Sequence, residues 1–213
     1  MNNHPLVAAL IFLLFSPTVG LSAAEAWKPL FNKKDLAGWQ AVNGPQESWH
    51  AEGDMLVCEG GGGGWLSTSD QYADFELALE FRVPPGGNSG VFLRAPHEGD
   101  PAYVGLEIQV LDDAAPEYAN LKPTQYTGSI YDVAAASPRV TKAAGEWQTM
   151  LIRCEKRTVR VTLNGSVVVD TDLDKHADKE AAHPGLKRTT GHVGLQNHGS
   201  RLEYRNLRIR ELP

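Results

Sequence analysis

The sequence lacks the short motifs that mark many nucleotide-binding, serine-dependent and zinc-dependent enzymes. It contains no GxSxG, HExxH or P-loop motif and no GxGxxG string before a helix, and its two cysteines do not form a CxxC pair. It also lacks a basic run. With 20 Lys and Arg against 26 Asp and Glu the formal net charge is -6, which argues against a nucleic-acid partner and favours a neutral or weakly charged ligand.

No window of a dozen residues carries a sustained apolar stripe of helical period, so long amphipathic helices are not expected. The composition instead favours short strands and many turns, because Gly 21 and Pro 13 interrupt the chain often. The hydrophobic share of 42% and the charged share of 22% are typical of a globular chain. One domain, over residues 27–213, is the expected organisation.

The first 24 residues have the layout of a secretory signal peptide. Residues 6–15 are an unbroken apolar stretch, and the small residues Ser22, Ala23 and Ala24 follow it as a cleavage site. An uncleaved membrane anchor is the less favoured alternative, since a spanning helix needs about 20 apolar residues. The expected location is therefore periplasmic or secreted, with no membrane contact after cleavage.

Alternating apolar and polar residues predict a strand over residues 74–83, with one buried and one solvated face. The string PPGGN ends this strand, and GVFLRA then predicts a second strand paired with it as a hairpin. Asn164-Gly165 predicts a tight hairpin turn. Further strands are expected at residues 103–111, 147–154, 158–163, 166–170, 191–196 and 202–210. The pattern predicts an all-β fold, an antiparallel two-sheet jelly-roll sandwich.

Polar residues on the solvated faces of these strands are the candidates for chemistry. In LEIQVL the side chains of Glu107 and Gln109 point away from the apolar set. Arg94 is expected to share a face with Phe92, and His198 to share one with Gln196. A base, an acid and a cation would then meet in one concave site. The alternative is an ordinary solvated sheet face without a site.

Several strings together resemble the 3-keto-disaccharide hydrolase domain family. They run in the family's order from about residue 27 to the C-terminus, and they are FNKKDLAGWQ, DFELALEFRVPPGGNSGVFLRAP, GLEIQVLDD, LKPTQYTGSIYDV, GEWQTMLIRCE, VTLNGSVV, HPGL and GHVGLQNHGSRLEYRNLRIREL. The resemblance implies a concanavalin A-like jelly roll of the lectin and glucanase type. It also implies an enzyme that cleaves the glycosidic bond of a 3-keto-glycoside, a small-molecule sugar.

The chemistry implied by this resemblance is proton abstraction at C2 beside a C3 ketone, β-elimination of the glycosidic oxygen and addition of water. His198 is then the expected base, Arg94 the enolate stabiliser and Glu107 the acid or second base. The residues expected to bind the sugar or line the rim are Gln109, Lys122, Tyr131, Asp132, Gln196 and Asn197.

Two other functions are left open. An ordinary retaining glycosidase would place two carboxylates on one strand, but here the letters are Glu107-x-Gln109-x-x-Asp112, and an amide cannot replace an acid. A non-catalytic carbohydrate-binding module would use aromatic platforms, for which Trp39, Trp49 and Trp65 are candidates, although core tryptophans are more common.

Three structural questions stay open at the level of sequence. Cys58 and Cys154 form either a disulfide, which export would permit, or two separate buried thiols. The run of glycines at 60–64 is either a flexible loop, the favoured interpretation, or backbone that lines a ligand mouth. No cofactor is required, while a divalent cation is left open because Asp112, Asp113 and Asp132 supply oxygen ligands of a suitable kind.

Export makes a prediction about the mature N-terminus. Removal of residues 1–24 should leave a chain that begins at Glu25 or a few residues later. Mass spectrometry of the protein recovered from its native compartment measures this end directly. An intact Met1 on soluble protein from the cytoplasm would contradict the prediction.

Overall fold

The computed structural model describes Met1 and residues 26–213, and residues 26–213 form two antiparallel sheets. The predicted all-β sandwich is thus confirmed, whereas the predicted signal peptide lies almost entirely outside the described residues. The strands in chain order are β1 (Lys28–Pro29), β2 (Trp39–Val42), β3 (Trp49–Glu52), β4 (Met55–Cys58), β5 (Trp65–Tyr72), β6 (Phe75–Arg82), β7 (Asn88–Ala95), β8 (Leu106–Leu111), β9 (Gln148–Glu155), β10 (Thr158–Leu163), β11 (Ser166–Asp172), β12 (Gly191–Gln196) and β13 (Leu202–Glu211).

The larger sheet has eight strands in the order β11-β10-β9-β6-β13-β4-β3, with β1 paired to β13. The smaller sheet has five strands in the order β2-β5-β12-β7-β8. One apolar core fills the space between them, because the inner faces of both sheets contribute alternate residues to it. On β8 these inner residues are Leu106, Ile108 and Val110, so the neighbouring side chains of this strand lie on the outer face of the five-stranded sheet.

The two hairpin predictions have opposite outcomes. Asn164 and Gly165 join β10 to β11 with φ angles of 49° and 84°, as the predicted tight turn requires. The predicted pairing of β6 with β7 is wrong: β6 pairs with β9 and β13 in one sheet, whereas β7 pairs with β8 and β12 in the other. The PPGGN string therefore carries the chain across the sandwich.

Arg94 was expected on the outer face beside Phe92, and this expectation is wrong. The pairing of β7 with β12 shifts register, since His192 lies opposite Ala95 while Gly194 lies opposite Phe92. Arg94 sits in this irregularity with a φ of 50°. An extra residue on one strand breaks the two-residue alternation and turns a side chain to a new direction.

The redirected Arg94 side chain is fully buried and holds several loops together. Its guanidinium donates to the carbonyl oxygens of Ala73 and Lys156, each at 2.8 Å, and to Asp74 Oδ1 at 3.0 Å. A longer bond of 3.4 Å reaches the carbonyl of Arg188. These partners lie between β5 and β6, between β9 and β10, and before β12, so Arg94 connects segments that follow or precede strands of both sheets.

The described cysteines are free thiols, which decides between the two alternatives for this pair. Cys58 and Cys154 are both buried in the core and form no disulfide. Burial raises the pKa of Cys58 to about 11 and that of Cys154 to about 12, so both thiols are protonated at neutral pH.

In the described part of the chain, no helix has the length and apolar character needed to cross a membrane.

The buried position of Arg94 predicts a large stability effect. Arg94→Leu removes the donor to the carbonyl oxygens of Ala73 and Lys156 and the buried charge that pairs with Asp74, and it should lower the free energy of unfolding by about 3–5 kcal/mol. Urea denaturation measures this loss. Arg160→Leu is the matched control, because Arg160 and its partner Asp170 are about half exposed and such a pair contributes about 0–1 kcal/mol. Equal losses in the two variants would contradict the structural role of Arg94.

Candidate active site

A cavity of about 170 Å³ opens on the outer face of the five-stranded sheet. It lies where β7 and β8 meet the loop that follows β12. Its walls combine carboxyl, amide, phenol and imidazole groups, and the lining residues are Asn88, Asp100, Ala102, Tyr103, Glu107, Gln109, Tyr131, Gln196 and His198. Of the four residues expected to converge on one concave face, Glu107, Gln109 and His198 line this cavity, together with Gln196, whereas Arg94 does not.

Glu107 is the buried acid of the cavity. Only 3% of the residue is exposed, and its carboxyl group has no hydrogen-bond partner among the described residues. The carboxyl group lies across the neighbouring strand over Gly90, where an added Cβ would come within 2.1 Å of Oε1. Burial, with a smaller contribution from the negative charge of Asp100, raises the pKa of Glu107 to about 8. Glu107 is consequently a neutral acid at pH 7.

Gln109 is held in place beside Glu107. Its amide nitrogen donates to Asn88 Oδ1 at 2.9 Å and to the carbonyl oxygen of Ser89 at 3.1 Å. Asn88 begins β7 and was not singled out by the sequence argument, which treated it as part of the turn that ends the preceding strand. Asn88 and Phe92 are four residues apart on β7, so their side chains lie on the same face of the sheet, and this is the face on which the cavity opens.

Tyr131 reaches the cavity because its segment pairs with the edge of β8. Ile108 bridges Ile130 in antiparallel register, and the backbone N–H of Tyr131 donates to the carbonyl oxygen of Glu107 at 2.9 Å. Residues opposite each other in such a pair project to the same face, so Tyr131 stands beside Glu107. Burial raises the pKa of Tyr131, which keeps its hydroxyl protonated, and Gln125 Nε2 donates to that hydroxyl at 3.1 Å.

Lys122 and Asp132 do not line the cavity. Lys122 Nζ lies 3.5 Å from Asp132 Oδ1 and is largely exposed. The carbonyl oxygen of Asp132 instead accepts a hydrogen bond from Lys179 Nζ at 3.0 Å. These two residues, which were expected at the rim, therefore contact each other outside the cavity.

A short helix, α1 (Pro101–Val104), covers the cavity where the sequence had predicted the start of a strand. Asp100 caps it, accepting a hydrogen bond from the N–H of Ala102 at 3.1 Å, and Pro101 occupies the first turn. The pair Asp100-Pro101 is a signal for the start of a helix, and the expected strand from residue 103 did not take it into account. The helix brings Asp100 and Tyr103 to the cavity wall, and the Tyr103 ring packs 4.9 Å from the buried ring of His183.

The loop after β12 presents His198 to the cavity. His198 is exposed, while its neighbour Asn197 is buried and fixes the loop: Asn197 Nδ2 donates to the carbonyl oxygen of Gly61 at 2.7 Å, and Asn197 Oδ1 accepts from the N–H of Gly199 at 3.0 Å. Asn197 therefore holds the loop in place and does not line this cavity. Its bond to Gly61 also ties the loop to the run of glycines at 60–64, all of which have positive φ angles.

The oxygen ligands considered for a divalent cation do not form a cluster. Asp112 and Asp113 accept hydrogen bonds from backbone groups of nearby turns instead. Among residues 26–213, three potential ligands meet only at His50, Glu52 and Glu59, on the other sheet. Arg201 already forms ion pairs with both of these glutamates.

A larger depression of about 320 Å³ lies on the eight-stranded sheet, away from the candidate site. Its walls mix apolar and polar residues, and its carboxylate, Glu80, is already bound by Arg205 Nε at 2.8 Å. Volume alone does not indicate chemistry, and the smaller cavity is the candidate because an acid with a strongly shifted pKa lines it.

Comparison with known proteins places the chain among sugar-active relatives. Residues 26–210 match the family model described as a 3-keto-alpha-glucoside-1,2-lyase-like domain. A protein of Bacteroides thetaiotaomicron named 3-keto-disaccharide hydrolase is 28% identical over 230 aligned positions, which cover 89% of this chain and 79% of that protein.

Two solved structures extend the comparison. A candidate glycosyl hydrolase from Parabacteroides distasonis is 32% identical, with a TM-score of 0.78 over 88% of this chain and all of that one. The carbohydrate-binding module CBM66 of Bacillus subtilis is 15% identical, with a TM-score of 0.54 over 80% of this chain and 93% of that one. The second likeness concerns the fold alone.

The raised pKa of Glu107 predicts a pH-dependent stability. Between its ordinary value of 4.5 and about 8, the folded protein holds a proton that the unfolded chain has released. The contribution of neutral Glu107 to the free energy of unfolding is therefore complete below pH 4.5, and it is lost as the pH rises through 8. Relative to Glu107→Gln, the parent should lose on the order of 4 kcal/mol in unfolding free energy between pH 4.5 and 9.

Urea denaturation of both proteins across this pH range measures the difference. Glu98→Gln, at an exposed carboxyl group of a nearby loop, is the control and should follow the parent. Identical pH profiles for the parent and Glu107→Gln would show that Glu107 is ionised at neutral pH.

Proposed function

The chain belongs to the 3-keto-alpha-glucoside-1,2-lyase-like domain family, and from this membership we propose that it cleaves glycosidic bonds as an enzyme of the 3-keto-disaccharide hydrolase type. The observation that carries the proposal is the neutral, buried Glu107 in a polar cavity that also contains His198. A proton donor and a proton acceptor that face one small space are the minimum equipment for an elimination.

The reaction we propose begins at C2 of a sugar whose C3 has been oxidised to a ketone. A base removes the C2 proton, and the electron pair forms an enolate with the C3 oxygen. The enolate then collapses to a C1–C2 double bond and restores the ketone, and the glycosidic oxygen leaves from C1 with a proton from an acid. Water adds a hydroxyl group to C1 and a proton to C2, which completes a net hydrolysis.

His198 is the proposed base, because its imidazole carries a nitrogen that can accept a proton and this side chain is exposed at the cavity mouth. Glu107 is the proposed acid, since its carboxyl group carries a proton at pH 7. The role of enolate stabiliser moves from Arg94, which is buried elsewhere, to Tyr131, whose hydroxyl is a neutral donor in the cavity. Gln109, Asn88 and Gln196 are the proposed ligands of the sugar hydroxyls.

The two competing functions are less well supported by the site. The carboxylate that the sequence pattern offers to a retaining glycosidase as a partner for Glu107 is Asp112, but it accepts hydrogen bonds from Gly86 and Ala114 in a turn and does not line the cavity. The carboxylate that does line the cavity, Asp100, caps α1 by accepting from the N–H of Ala102. A binding module has no need of a proton donor whose pKa is raised to about 8 beside an imidazole, which is the arrangement found in this cavity.

We also propose that the enzyme acts outside the cytoplasm, with the signal-like residues 1–24 removed. Nothing in the proposed steps requires a cofactor. Activity with and without a chelator tests the divalent cation that the sequence left open.

A 3-keto-glucoside labelled with deuterium at C2 gives the decisive test of the reaction. Because the C2–H bond breaks in the proposed mechanism, the label should slow cleavage or be exchanged for solvent hydrogen. The same glucoside with an intact C3 hydroxyl should be inert, since no ketone acidifies C2. Product formation and label retention are measured by mass spectrometry. Comparable cleavage of the unoxidised sugar, without exchange or an isotope effect, would overturn the elimination.

Variants assign the two proton-transfer roles in the same assay. Glu107→Gln retains the shape of the side chain but cannot give up a proton, and His198→Ala removes the proposed base. Each should lower turnover by a factor on the order of 10²–10⁴. Lys122→Ala is the control, because Lys122 lies outside the cavity, and it should retain activity. Parent-like turnover in both site variants would contradict these assignments.

A further inference from the structure

A second depression adjoins the candidate active site. Its volume is about 300 Å³, and it shares Asp100, Gln196 and His198 with the first cavity. Its remaining walls come from the end of β2, the glycine run, β5, β7 and the loop before α1, and they are Asn43, Gly64, Trp65, Phe92, Gly99, Pro101 and Asn197. The two spaces therefore adjoin at the three shared residues.

We propose that this second depression binds the leaving group of the substrate as a second sugar ring. The inference rests on the proposed function and deepens it. Glu107 and Tyr131 line only the first cavity, so the ring that undergoes proton abstraction occupies that cavity. C1 of that ring then points towards the boundary between the two spaces, and the group that leaves from C1, protonated by Glu107, extends into the second depression.

The walls of the second depression suit a sugar ring. Beneath the depression the rings of Trp65 and Phe92, which are only 2% and 1% exposed, pack edge to face with centroids 5.5 Å apart and form a rigid apolar floor. An apolar floor with a few polar groups is typical of small-molecule sites. Two buried atoms beside it, Trp65 Nε1 and Gln196 Oε1, have no hydrogen-bond partner among the described residues. Trp65 and Gln196 are paired across β5 and β12, so their side chains lie on the same face of the sheet.

A sugar hydroxyl matches this pair of atoms, because it both donates and accepts hydrogen bonds. The N–H of Trp65 lacks an acceptor and the carbonyl oxygen of Gln196 lacks a donor, and buried polar groups without partners are rare in folded proteins. Asn43, which follows the residue paired with Trp65, adds an exposed amide to the depression. These groups supply donors and acceptors without a charge, which fits a neutral second sugar.

The glycine run limits the shape of the depression. Gly64 has a φ of 82°, and an added Cβ there would lie 2.6 Å from backbone atoms of Val42, Asn43 and Gly44. The wall at this point is therefore backbone alone. At Gly64, backbone lines the second depression, as the second of the two interpretations of glycines 60–64 expects.

Two substrates that differ only in the leaving group test the inference. The first is methyl 3-keto-α-glucoside, whose leaving group is too small to fill the second depression. The second is a 3-keto disaccharide in which a second glucose replaces the methyl group. Asn43→Gly and Trp65→Phe should each lower kcat/KM for the disaccharide about tenfold, the cost of one lost hydrogen bond, and change kcat/KM for the methyl glycoside less than about twofold.

Matched controls separate a local effect from a general one. Asn206→Gly makes the same substitution at another asparagine of positive φ, on the eight-stranded sheet. It should leave kcat/KM unchanged for both substrates. Asn88→Ala, in the first cavity, should impair both substrates equally. Thermal unfolding confirms that each variant is folded, and Asn43→Gly carries the test if Trp65→Phe is not. Equal losses on both substrates, or no loss on the disaccharide, would overturn the leaving-group assignment.

Failure of the proposed function would be visible separately. If the parent cleaved neither 3-keto substrate, the proposed reaction would be wrong, and binding of the unoxidised disaccharide and of glucose would be measured by NMR titration. The second depression would still be supported if Asn43→Gly weakened only disaccharide binding. Unchanged disaccharide binding in that variant would contradict it.

Discussion

Burial of Leu106, Ile108 and Val110 between the two sheets determines where the chemistry of this protein can lie. Because side chains alternate along a strand, these three residues oblige Glu107 and Gln109 to face the opposite side of the same strand. The apolar core that stabilises the sandwich therefore also positions its candidate acid and a neighbouring amide. A change that shifted the register of β8 by one residue would exchange the core and the site.

The pKa of Glu107 depends on what covers this outer face. A carboxyl group on a solvated sheet face would be ionised at neutral pH, whereas the helix at Pro101–Val104 and the segment around Tyr131 reduce the exposure of Glu107 to 3%. Gly90 makes room for the carboxyl group on the neighbouring strand. The desolvation that makes Glu107 a neutral acid is thus produced by loops and a short helix added to a regular sheet.

The register irregularity at Arg94 places its positive charge in a structural contact and keeps it out of the candidate site. In a regular strand it would face the candidate site with Phe92, and a guanidinium there would bind an anionic intermediate. The register shift between β7 and β12 instead directs it toward backbone carbonyls and Asp74. Because these acceptors bind the buried cation, the cavity is lined by neutral donors, one exposed imidazole and the Asp100 carboxylate, without a guanidinium.

The sequence by itself determined the all-β class, the tight turn at Asn164-Gly165 and the direction of Glu107 and Gln109, because alternation and turn chemistry are local properties. Only the tertiary structure decided that β6 and β7 belong to different sheets, that Asn88, Asp100 and Tyr103 join the cavity, and that Lys122 and Asp132 do not. Each of these depends on contacts between residues distant in the chain. Alternation along a strand specifies which face of the sheet a side chain occupies, but it does not specify which strand or loop packs against that face.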